Sequence, residues 1–469
     1  MKTQFFITTA IPYINAKAHV GHAQEFLLAD TLARSLKAQS YPVLLQSGTD
    51  DNSLKNILAA QKEEAPIQDF LKKQSQKFQD LLDRLNIHPD YFVRTSSPEH
   101  HQAVIEFIKR LNPEDLYFRD WSGLYCVGCE DFLKEQDLVN GVCPDHKTAP
   151  SPIYEPNVFF KLSKYQNKIA ELIKTNRVRI YPESRKVEIL KFIEQGLVDI
   201  SISRSQKETS ELGIPFPGYN NHTVYVWIDA LVNYLTGCGF GKGDSWKETW
   251  DKSYKIHVIG KNVWKFHAIY WIGLLLSAGI SIPNEILIHG FLTNNGEKIS
   301  KSLGNAIDPL SIVDRFGSDA LRSYLLGKLN YETDGDFNEK LLANFYLEEL
   351  LNQVGNLYPR VISLCQKGNV VFDVKKQSPT CDPRKLTCLW SDIFQRSQKL
   401  NREINDSFIW NAPDSEGKKA ILTRWLTELS LISEKLSIFC PDRVALFQKA
   451  LSGEKIVPFE KPKTTIEPI

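Results

Sequence analysis

The amino-acid sequence predicts an α/β fold in which a parallel-sheet domain is split by an insertion and followed by an all-α helical bundle. Strand and helix patterns alternate at the start of the chain, return after a cysteine-containing segment, and give way to helical spacing beyond about residue 336. The chain has 469 residues, which is more than one hydrophobic core usually supports. We therefore expect several domains, with these boundaries: 1–120 and 206–335 for the two halves of the sheet domain, 121–205 for the insertion, 336–451 for the helical bundle and 452–469 for an extended tail.

The first elements predict a strand, a helix and a second strand. Residues 5–10 form a short aromatic and β-branched run that ends before Pro12, and residues 24–36 place apolar side chains at helical spacing. Residues 42–48 have the composition of a second strand. This order is typical of a βαβ unit, and a sheet built from such units binds ligands beyond the carboxyl ends of its strands.

The later elements predict the rest of the sheet and the helical bundle. Apolar runs predict strands at 224–228, 256–260 and 286–290, with a helix at 266–278, and an amphipathic stretch lies at 187–197 inside the insertion. Beyond residue 336, helical apolar spacing recurs, separated by turn-rich pieces, in the segments 341–362, 384–404, 418–439 and 442–451. These segments predict a helical bundle.

Composition and charge exclude several classes of protein. Hydrophobic residues make up 42% and charged residues 24% of the chain, which excludes disordered and collagenous proteins. The 57 basic and 56 acidic side chains give a net charge of +1, which excludes a globally basic nucleic-acid coat but not a local basic track. The longest apolar run, 271–282, is shorter than the ~20 residues that cross a bilayer. With no targeting segment visible, we expect a cytoplasmic protein that makes no membrane contact.

A pair of histidines follows the first strand. His19 and His22 flank Gly21 where the loop enters the predicted helix, a position that favours phosphate. Two imidazoles three residues apart can donate to the phosphates of ATP as charge develops at the α-phosphorus, and the glycine allows close backbone approach. The alternative is a structural histidine pair.

A basic loop lies far downstream, between glycines. It contains Lys298, Ser300, Lys301 and Ser302, and its two ammonium groups can neutralise the charge that spreads over a leaving pyrophosphate. A solvated charge run is the alternative. The histidine pair upstream favours the phosphate function.

Three cysteines and a histidine have the spacing of a metal site. Cys126 and Cys129 are separated by two residues, as are Cys143 and His146, so each pair can present two ligands to one tetrahedral ion. Four protein ligands leave no position for water. We expect one structural Zn²⁺, with unliganded reduced thiols as the alternative.

A series of motifs in one order covers almost the whole chain. They are PYxN…HxGH at Pro12–His22, GTD at Gly48–Asp50, YCxxCE…CPxH at Tyr125–His146, NxFF at Asn157–Phe160, DxSISR at Asp199–Arg204, YVWxDAxxNY at Tyr225–Tyr234, GKxxxxFH at Gly260–His267, KxSKSxGN at Lys298–Asn305, DALRxYL at Asp319–Leu325 and DxDF at Asp334–Phe337. This set resembles class I aminoacyl-tRNA synthetases and, among them, the methionyl-tRNA synthetases with a single zinc knuckle.

The resemblance implies a Rossmann-like catalytic domain and a methionine–tRNA ligase active in protein biosynthesis. Its substrates would be methionine, ATP with Mg²⁺, and tRNA(Met), and a monomer is the default. The implied methionine pocket consists of Ile11, Tyr13, Asp50, Trp227, Ala230, Leu231, Tyr234, Val263 and His267. Aromatic edges suit a thioether, and the Asp50 carboxylate suits the substrate ammonium.

The resemblance also implies anticodon reading by Asn356, Arg360 and Trp410 in the helical bundle. An exposed indole can stack on an unpaired base while the other two side chains reach base edges, although a tryptophan in such a domain is often a core residue.

Some positions depart from the family pattern. Residues 51–53 are Asp-Asn-Ser where Glu-His-Gly is common, Asn262 stands for Asp, Ile272 for Pro, Leu212 for Trp and Ile409 for Pro. These changes make the rate and the fine specificity harder to predict, but they leave the predicted reaction class unchanged. Two other functions stay open: an adenylating enzyme with an acceptor other than tRNA, and a non-catalytic tRNA-binding regulator.

Overall fold

A six-stranded parallel sheet forms the centre of the catalytic half in the computed structural model, which describes residues 2–144, 146–206, 212–294, 296–299, 305–370, 382 and 384–451. Its strands are β1 (Gln4–Thr9), β2 (Val43–Thr49), β3 (Tyr91–Arg94), β7 (Arg179–Tyr181), β11 (Ser253–Gly260) and β12 (Glu285–His289). Their order is β3-β2-β1-β11-β12-β7. The strands that follow β1 in the chain therefore lie on one side of it, and the strands of the later half lie on the other side. Such a sheet binds ligands in the crevice between its two central strands, β1 and β11.

A hydrophobic core covers each face of the sheet. Successive strand residues point to opposite sides, so neighbouring residues belong to different cores. Ile7 packs into one core with Leu27, whereas its neighbour Phe6 packs into the other core with Phe107. The helices that follow the first three strands are α1 (Val20–Ala38), α2 (Leu54–Lys62), α3 (Ile67–Arg84) and α4 (Pro98–Arg110). The predicted first βαβ unit is confirmed.

The predicted strand at 224–228 is wrong. β10 (His222–Val224) ends at Val224, and α7 (Val226–Thr236) begins two residues later. Ile228, Leu231 and Leu235 are buried at helical spacing. A short apolar run that is buried on all sides cannot be assigned to strand or helix from periodicity alone.

The insertion contains an antiparallel sheet, but it is not detached from the main sheet. The antiparallel order is β5-β4-β6-β8. Its strands are β4 (Leu116–Cys126), β5 (Asp131–Leu133), β6 (Ser151–Phe160) and β8 (Ile200–Ser201), while β9 (Ser203–Ser205) pairs with β10. Strand β7, flanked by α5 (Gln166–Lys174) and α6 (Glu183–Glu194), joins the edge of the parallel sheet beside β12. The domain boundaries stay predictions.

The second half of the sheet domain continues past β12 into a small sheet and connecting helices. Around β11 and β12 lie α8 (Trp246–Trp250), a π-helical turn (Phe266–Trp271) and α9 (Ile272–Ser277). They are followed by β13 (Leu292–Asn294), β14 (Glu297–Lys298), α10 (Pro309–Phe316), α11 (Ser318–Ser323), a π-helical turn (Tyr324–Lys328) and β15 (Gly335–Asp336). Strand β13 lies between β14 and β15 and pairs with both.

Helices make up the described part of the chain beyond β15, as predicted. They are α12 (Glu339–Phe345), a π-helical stretch (Tyr346–Gly355), α13 (Leu357–Lys367), α14 (Leu386–Ser407), α15 (Glu416–Leu436) and α16 (Pro441–Leu451). Buried residues of α1 and of these helices belong to one core. Among the described helices, none combines the length and apolar character needed to cross a membrane. The predicted tail, 452–469, lies outside the described residues.

Candidate active site and zinc knuckle

A cleft of about 550 Å³ opens at the carboxyl ends of β1, β2, β11 and β12. It is the place that the sheet topology predicts for a ligand. The cleft is lined by both histidines and the glycine of the HxGH motif and by every residue predicted for the methionine pocket: His19, Gly21, His22, Ile11, Tyr13, Asp50, Trp227, Ala230, Leu231, Tyr234, Val263 and His267. Residues from distant parts of the chain therefore meet in one cavity.

The two histidines form the N-terminal cap of α1. His19 Nδ1 accepts a hydrogen bond from the Gly21 N–H, and His22 Nδ1 accepts one from the His19 N–H, both at 3.2 Å. The rings stack with centroids 3.9 Å apart. Because Nδ1 accepts in both residues, the proton of each neutral imidazole is on Nε2, which makes Nε2 the donor.

Gly21 suits this arrangement, because a side chain here would crowd the His19 ring. A Cβ at this position would lie 3.0 Å from two atoms of the His19 ring. The first-turn N–H groups are already engaged, because those of Val20, Gly21 and His22 donate to Ile307 O, His19 Nδ1 and His19 O. An anion at this helix end would therefore meet the imidazoles and the helix dipole more than the backbone N–H groups.

Tyr234 and His267 share a hydrogen bond on one side of the cleft. The His267 Nδ1–H donates to Val263 O at 2.9 Å, so Nε2 accepts from the Tyr234 hydroxyl at 2.7 Å. Burial lowers the pKa of His267 to about 4. His267 is therefore a neutral acceptor at physiological pH, and the pocket wall carries no charge at this point.

Trp227 provides a second wall, and its orientation is fixed on three sides. Its ring stacks on Phe266 with centroids 3.8 Å apart and meets Tyr13 edge to face at 6.2 Å. The indole Nε1–H donates to the carbonyl oxygen of Cys129 at 3.3 Å. An aromatic cavity with fixed rings suits a polarizable thioether.

Asp50 lies nearly fully buried at the end of β2. Burial, together with the nearby Asp229 and Glu130 carboxyls, raises the pKa of Asp50 well above its usual value. In contrast, the Asp51 carboxylate lies 2.8 Å from the Arg94 guanidinium. No ion pair to Asp50 is found in the described part of the chain, so its carboxyl group is the one that a substrate cation would compensate.

Lys55 lines the cleft and Glu130 lies close to Asp50, but neither was identified from the sequence. The Lys55 ammonium lies 4.3 Å from the centre of the Tyr13 ring, and Glu130 Oε1 accepts hydrogen bonds from Ser53 Oγ at 2.8 Å and Leu54 N at 2.9 Å. Glu130 thereby holds the start of α2. A weak signal for Lys55 was available, because a serine N-cap at residue 53 places it in the first helical turn beside Asp50.

The unusual residue Asn52, two positions after Asp50, donates hydrogen bonds to this chain's own groups. Asn52 Nδ2 donates to Asp229 Oδ2 at 2.8 Å and to Thr95 O at 3.0 Å. Asp229 is held in turn by His100 Nε2 at 2.6 Å. The departures from the family pattern therefore keep the Asp50 loop hydrogen-bonded.

The predicted zinc ligands come together on the neighbouring antiparallel sheet. The ligand atoms of Cys126, Cys129, Cys143 and His146 all lie within 4.8 Å of one another. His146 Nδ1 lies 3.3 Å from Cys129 Sγ and 3.7 Å from Cys143 Sγ, and the two sulfurs are 3.6 Å apart. Ligands at the usual Zn–S and Zn–N distances in a tetrahedron have separations of about this size. The donor set and its geometry therefore fit Zn²⁺.

The knuckle contacts the cleft directly. Val127, Gly128 and His146 line the cavity, and the peptide of Cys129 accepts the Trp227 hydrogen bond described above. The Tyr225 hydroxyl donates to the next carbonyl, Glu130 O, at 2.5 Å. A loss of order in the knuckle would therefore disturb the aromatic wall of the pocket.

The basic loop is described only at its start. Lys298 ends β14, and its backbone pairs with Thr293. Ile299 is buried, donates its N–H to Leu292 O and lines the cleft. The start of the loop is thus beside the cavity, whereas Ser300, Lys301 and Ser302 lie outside the described residues.

The residues predicted to read the anticodon lie in the helical bundle, away from the residues that line the cleft. Trp410 is 47% exposed, which excludes the alternative that it is a core residue. Asn356 is exposed at the start of α13. The Arg360 guanidinium, one helical turn later, donates to Asn401 Oδ1 at 3.1 Å and Asn405 Oδ1 at 2.6 Å on α14. The anticodon role of these residues stays a prediction.

Comparison with known families places these features in context. The family model described as tRNA synthetases class I (M) matches residues 5–152 and 146–362. The curated methionine–tRNA ligase of Thermotoga maritima is 37% identical over 86% of this chain and 64% of its own length. That of Synechocystis is 39% identical over 77% of this chain and 69% of its own length. The chain thus spans about two thirds of these relatives.

Solved structures give the same result for the fold. Methionyl-tRNA synthetase of Mycobacterium tuberculosis in complex with methionyl-adenylate superposes with a TM-score of 0.85 at 30% identity, covering 99% of both chains. The ligand-free form of that protein superposes with a TM-score of 0.78 at 27% identity.

Proposed function

This chain belongs to the methionyl-tRNA synthetases of class I, and we propose that its cleft carries out the two steps of that family's reaction. In the first step, methionine and ATP form methionyl-adenylate and pyrophosphate. In the second, the methionyl group passes to the terminal adenosine of tRNA(Met) and AMP is released. The observation that carries this proposal is the meeting of the histidine pair, the aromatic pocket and the uncompensated Asp50 carboxyl in one cavity.

Methionine would bind by its two ends. The side chain would lie among Tyr13, Trp227 and Tyr234, where apolar burial and sulfur–aromatic contacts favour a thioether. The ammonium group would lie at Asp50, forming a charge-assisted hydrogen bond. With both ends held, the substrate carboxylate would be directed to the part of the cleft that His19 and His22 line.

Activation of ATP would depend on charge stabilisation. The Nε2–H groups of His19 and His22 would donate to phosphate oxygens, because Nδ1 of each ring accepts a backbone N–H. Lys298 and Lys301 would neutralise the leaving pyrophosphate, with Ser300 and Ser302 as further contacts. Mg²⁺ would enter with ATP and supply positive charge that helps to neutralise its phosphates. Placement and electrostatics are sufficient here, since the substrate carboxylate itself is the nucleophile.

Zinc would be held by Cys126, Cys129, Cys143 and His146, where it supplies a structural cross-link. Through the hydrogen bond from Trp227 to Cys129 O, an ordered knuckle fixes one wall of the methionine pocket.

Anticodon recognition by Asn356, Arg360 and Trp410 is part of the proposal, as are a monomeric state and a cytoplasmic location. The exposure of Trp410 supports the first of these, because an exposed indole presents a face to a base. None of the described cysteines forms a disulfide, as is usual in a reducing compartment.

Methionine-dependent exchange between ATP and pyrophosphate, followed by charging of tRNA(Met), tests the proposal. Both activities should be present in the wild-type protein, and His19→Asn and His22→Asn should lose exchange. His88→Asn, at an exposed histidine, is the matched control and should retain it. Exchange without charging would instead support an acceptor other than tRNA, and tRNA binding without exchange would support a non-catalytic regulator.

A further inference from the structure

Phe408 presents a large aromatic ring to solvent at the end of α14. The side chain is 60% exposed, and the backbone is left-handed, with φ 43° and ψ 31°. Left-handed helix caps are usually glycine or asparagine, and a bulky residue there is an outlier. Capping alone would favour a smaller residue, so the ring itself needs an explanation.

The ring of Phe408 is adjacent to that of Trp410. The centroids are 5.5 Å apart and the planes meet at 64°. The turn that joins the two residues is held by the Asn411 N–H, which donates to Phe408 O at 2.9 Å, and by the Ile409 N–H, which donates to Ser407 Oγ at 3.3 Å. Two exposed rings are therefore fixed side by side, with their faces in different directions.

A polar surface continues from these rings along α14. Asn401, Asn405 and Phe408 follow one another at i, i+4 and i+7, which places them on one face of the helix. Arg360 reaches this face from α13 and is held by the two asparagines. No carboxylate pairs with Arg360 in the described part of the chain, so the amides orient the guanidinium without cancelling its charge.

This combination favours an unpaired nucleic-acid base over a protein partner. Exposed aromatic rings stack on bases, uncompensated guanidinium groups attract phosphate or base acceptors, and amides reach base edges. Because the two rings face different directions, they suit two bases that are splayed apart rather than one continuous stack.

We propose that Phe408 is a second base-stacking residue of the anticodon surface, binding an unpaired base next to the one that stacks on Trp410. This inference rests on the proposed function, in which Trp410 already meets the anticodon loop. The inference also explains the left-handed backbone of Phe408, because that conformation would turn the ring out of the helix and towards the same ligand as Trp410.

The test compares Phe408→Asn with Phe408→Tyr in binding of an RNA hairpin that carries the tRNA(Met) anticodon stem and loop. Asparagine suits the left-handed backbone and removes the ring, so the affinity for the hairpin should fall about 5- to 150-fold while the melting temperature is equal or higher. Tyrosine retains the ring and should retain the affinity. Tyr154→Ala, at an exposed aromatic of the antiparallel sheet, is the matched control.

Three outcomes separate the explanations. Equal loss with Phe408→Asn and Phe408→Tyr, or a lower melting temperature with Phe408→Asn, would overturn the stacking role. Loss of affinity with Trp410→Ala and none with Phe408→Asn would overturn this inference and leave the proposed anticodon surface standing. Unchanged affinity in both would reject the anticodon surface itself. Hairpins in which one loop nucleotide at a time lacks its base should identify the base that stacks on Phe408. The hairpin without that base should bind Phe408→Asn and the wild-type protein with equal affinity.

Discussion

Replacing Asp50 by asparagine should have opposite effects on substrate binding and on stability. The carboxyl group is buried beside Asp229 and Glu130, and no ion pair to it is found within the described ranges. If it binds the ammonium of methionine, Asp50→Asn leaves that ammonium without its counter-charge. Loss of one partner from a buried charge pair costs about 2–5 kcal/mol, so kcat/KM for methionine should fall roughly 30- to 5,000-fold.

The same substitution should increase the free energy of unfolding, although it weakens substrate binding. The pKa of Asp50 is raised in the folded protein, so the folded state holds this proton more tightly than the unfolded chain, and stability falls as pH rises above the ordinary carboxyl range. Asparagine has no charge to bury and can still accept from the Asn52 N–H and Thr95 Oγ1, which contact Asp50 at 3.3 and 3.4 Å. Asp50→Asn should therefore be more stable than the wild-type protein at neutral pH. The difference should vanish below about pH 4, where the carboxyl group is protonated in both states.

Urea unfolding over a pH series and methionine-dependent pyrophosphate exchange measure the two effects. A methionine analogue without the amino group should inhibit the wild-type protein and Asp50→Asn about equally, whereas methionine itself should bind the variant more weakly. Asp83→Asn, at an exposed aspartate, is the matched control. An unchanged KM for methionine, or a less stable Asp50→Asn protein, would refute the reasoning.

Four further predictions concern the metal, the pocket and the helical bundle. Purified protein should contain about one zinc per chain, and Cys126→Ser with Cys129→Ser should remove it; elemental analysis that finds no zinc in fresh wild-type protein would contradict the knuckle. Homocysteine should be activated to a detectable extent and leucine far less, since a single methyl group is worth only ~1–3 kcal/mol in an apolar pocket; equal exchange rates for methionine and leucine would reject the pocket. The folded protein should lose about 3 kcal/mol of stability from His267 as pH falls from 6.5, the ordinary pKa of histidine, towards about 4, because the unfolded chain binds a proton on this ring that the buried ring resists; an equally steep loss in His267→Gln would exclude that origin. Trp410→Ala should lower kcat/KM for tRNA(Met) about 5- to 150-fold with little change in pyrophosphate exchange or melting temperature, and unchanged charging would remove Trp410 from the anticodon surface.

Local sequence patterns predicted the residues of the candidate site better than they predicted the detailed fold. The spacing of His19 and His22 is a property of one helical turn, and the two ligand pairs of the zinc knuckle are each set by a tight turn. Such features depend on neighbours in the chain, so the sequence by itself predicted them. The ordered motifs likewise assigned the pocket residues, and every one of them lines the cleft. The first βαβ unit and the helical bundle were predicted because their apolar periodicity is clear.

Tertiary structure decided what depends on contacts between distant parts of the chain. Residues 226–236 form a helix because their apolar run is buried on several sides, and β7 joins the parallel sheet although it lies within the predicted insertion. The raised pKa of Asp50 follows from burial beside two other carboxyl groups, one of them 80 residues away in sequence. Glu130 contacts the loop after Asp50 only because the knuckle folds against it, and the exposure of Trp410 depends on how the folded chain packs. Burial and long-range electrostatics are properties of the packed chain, which is why no local pattern could reveal them.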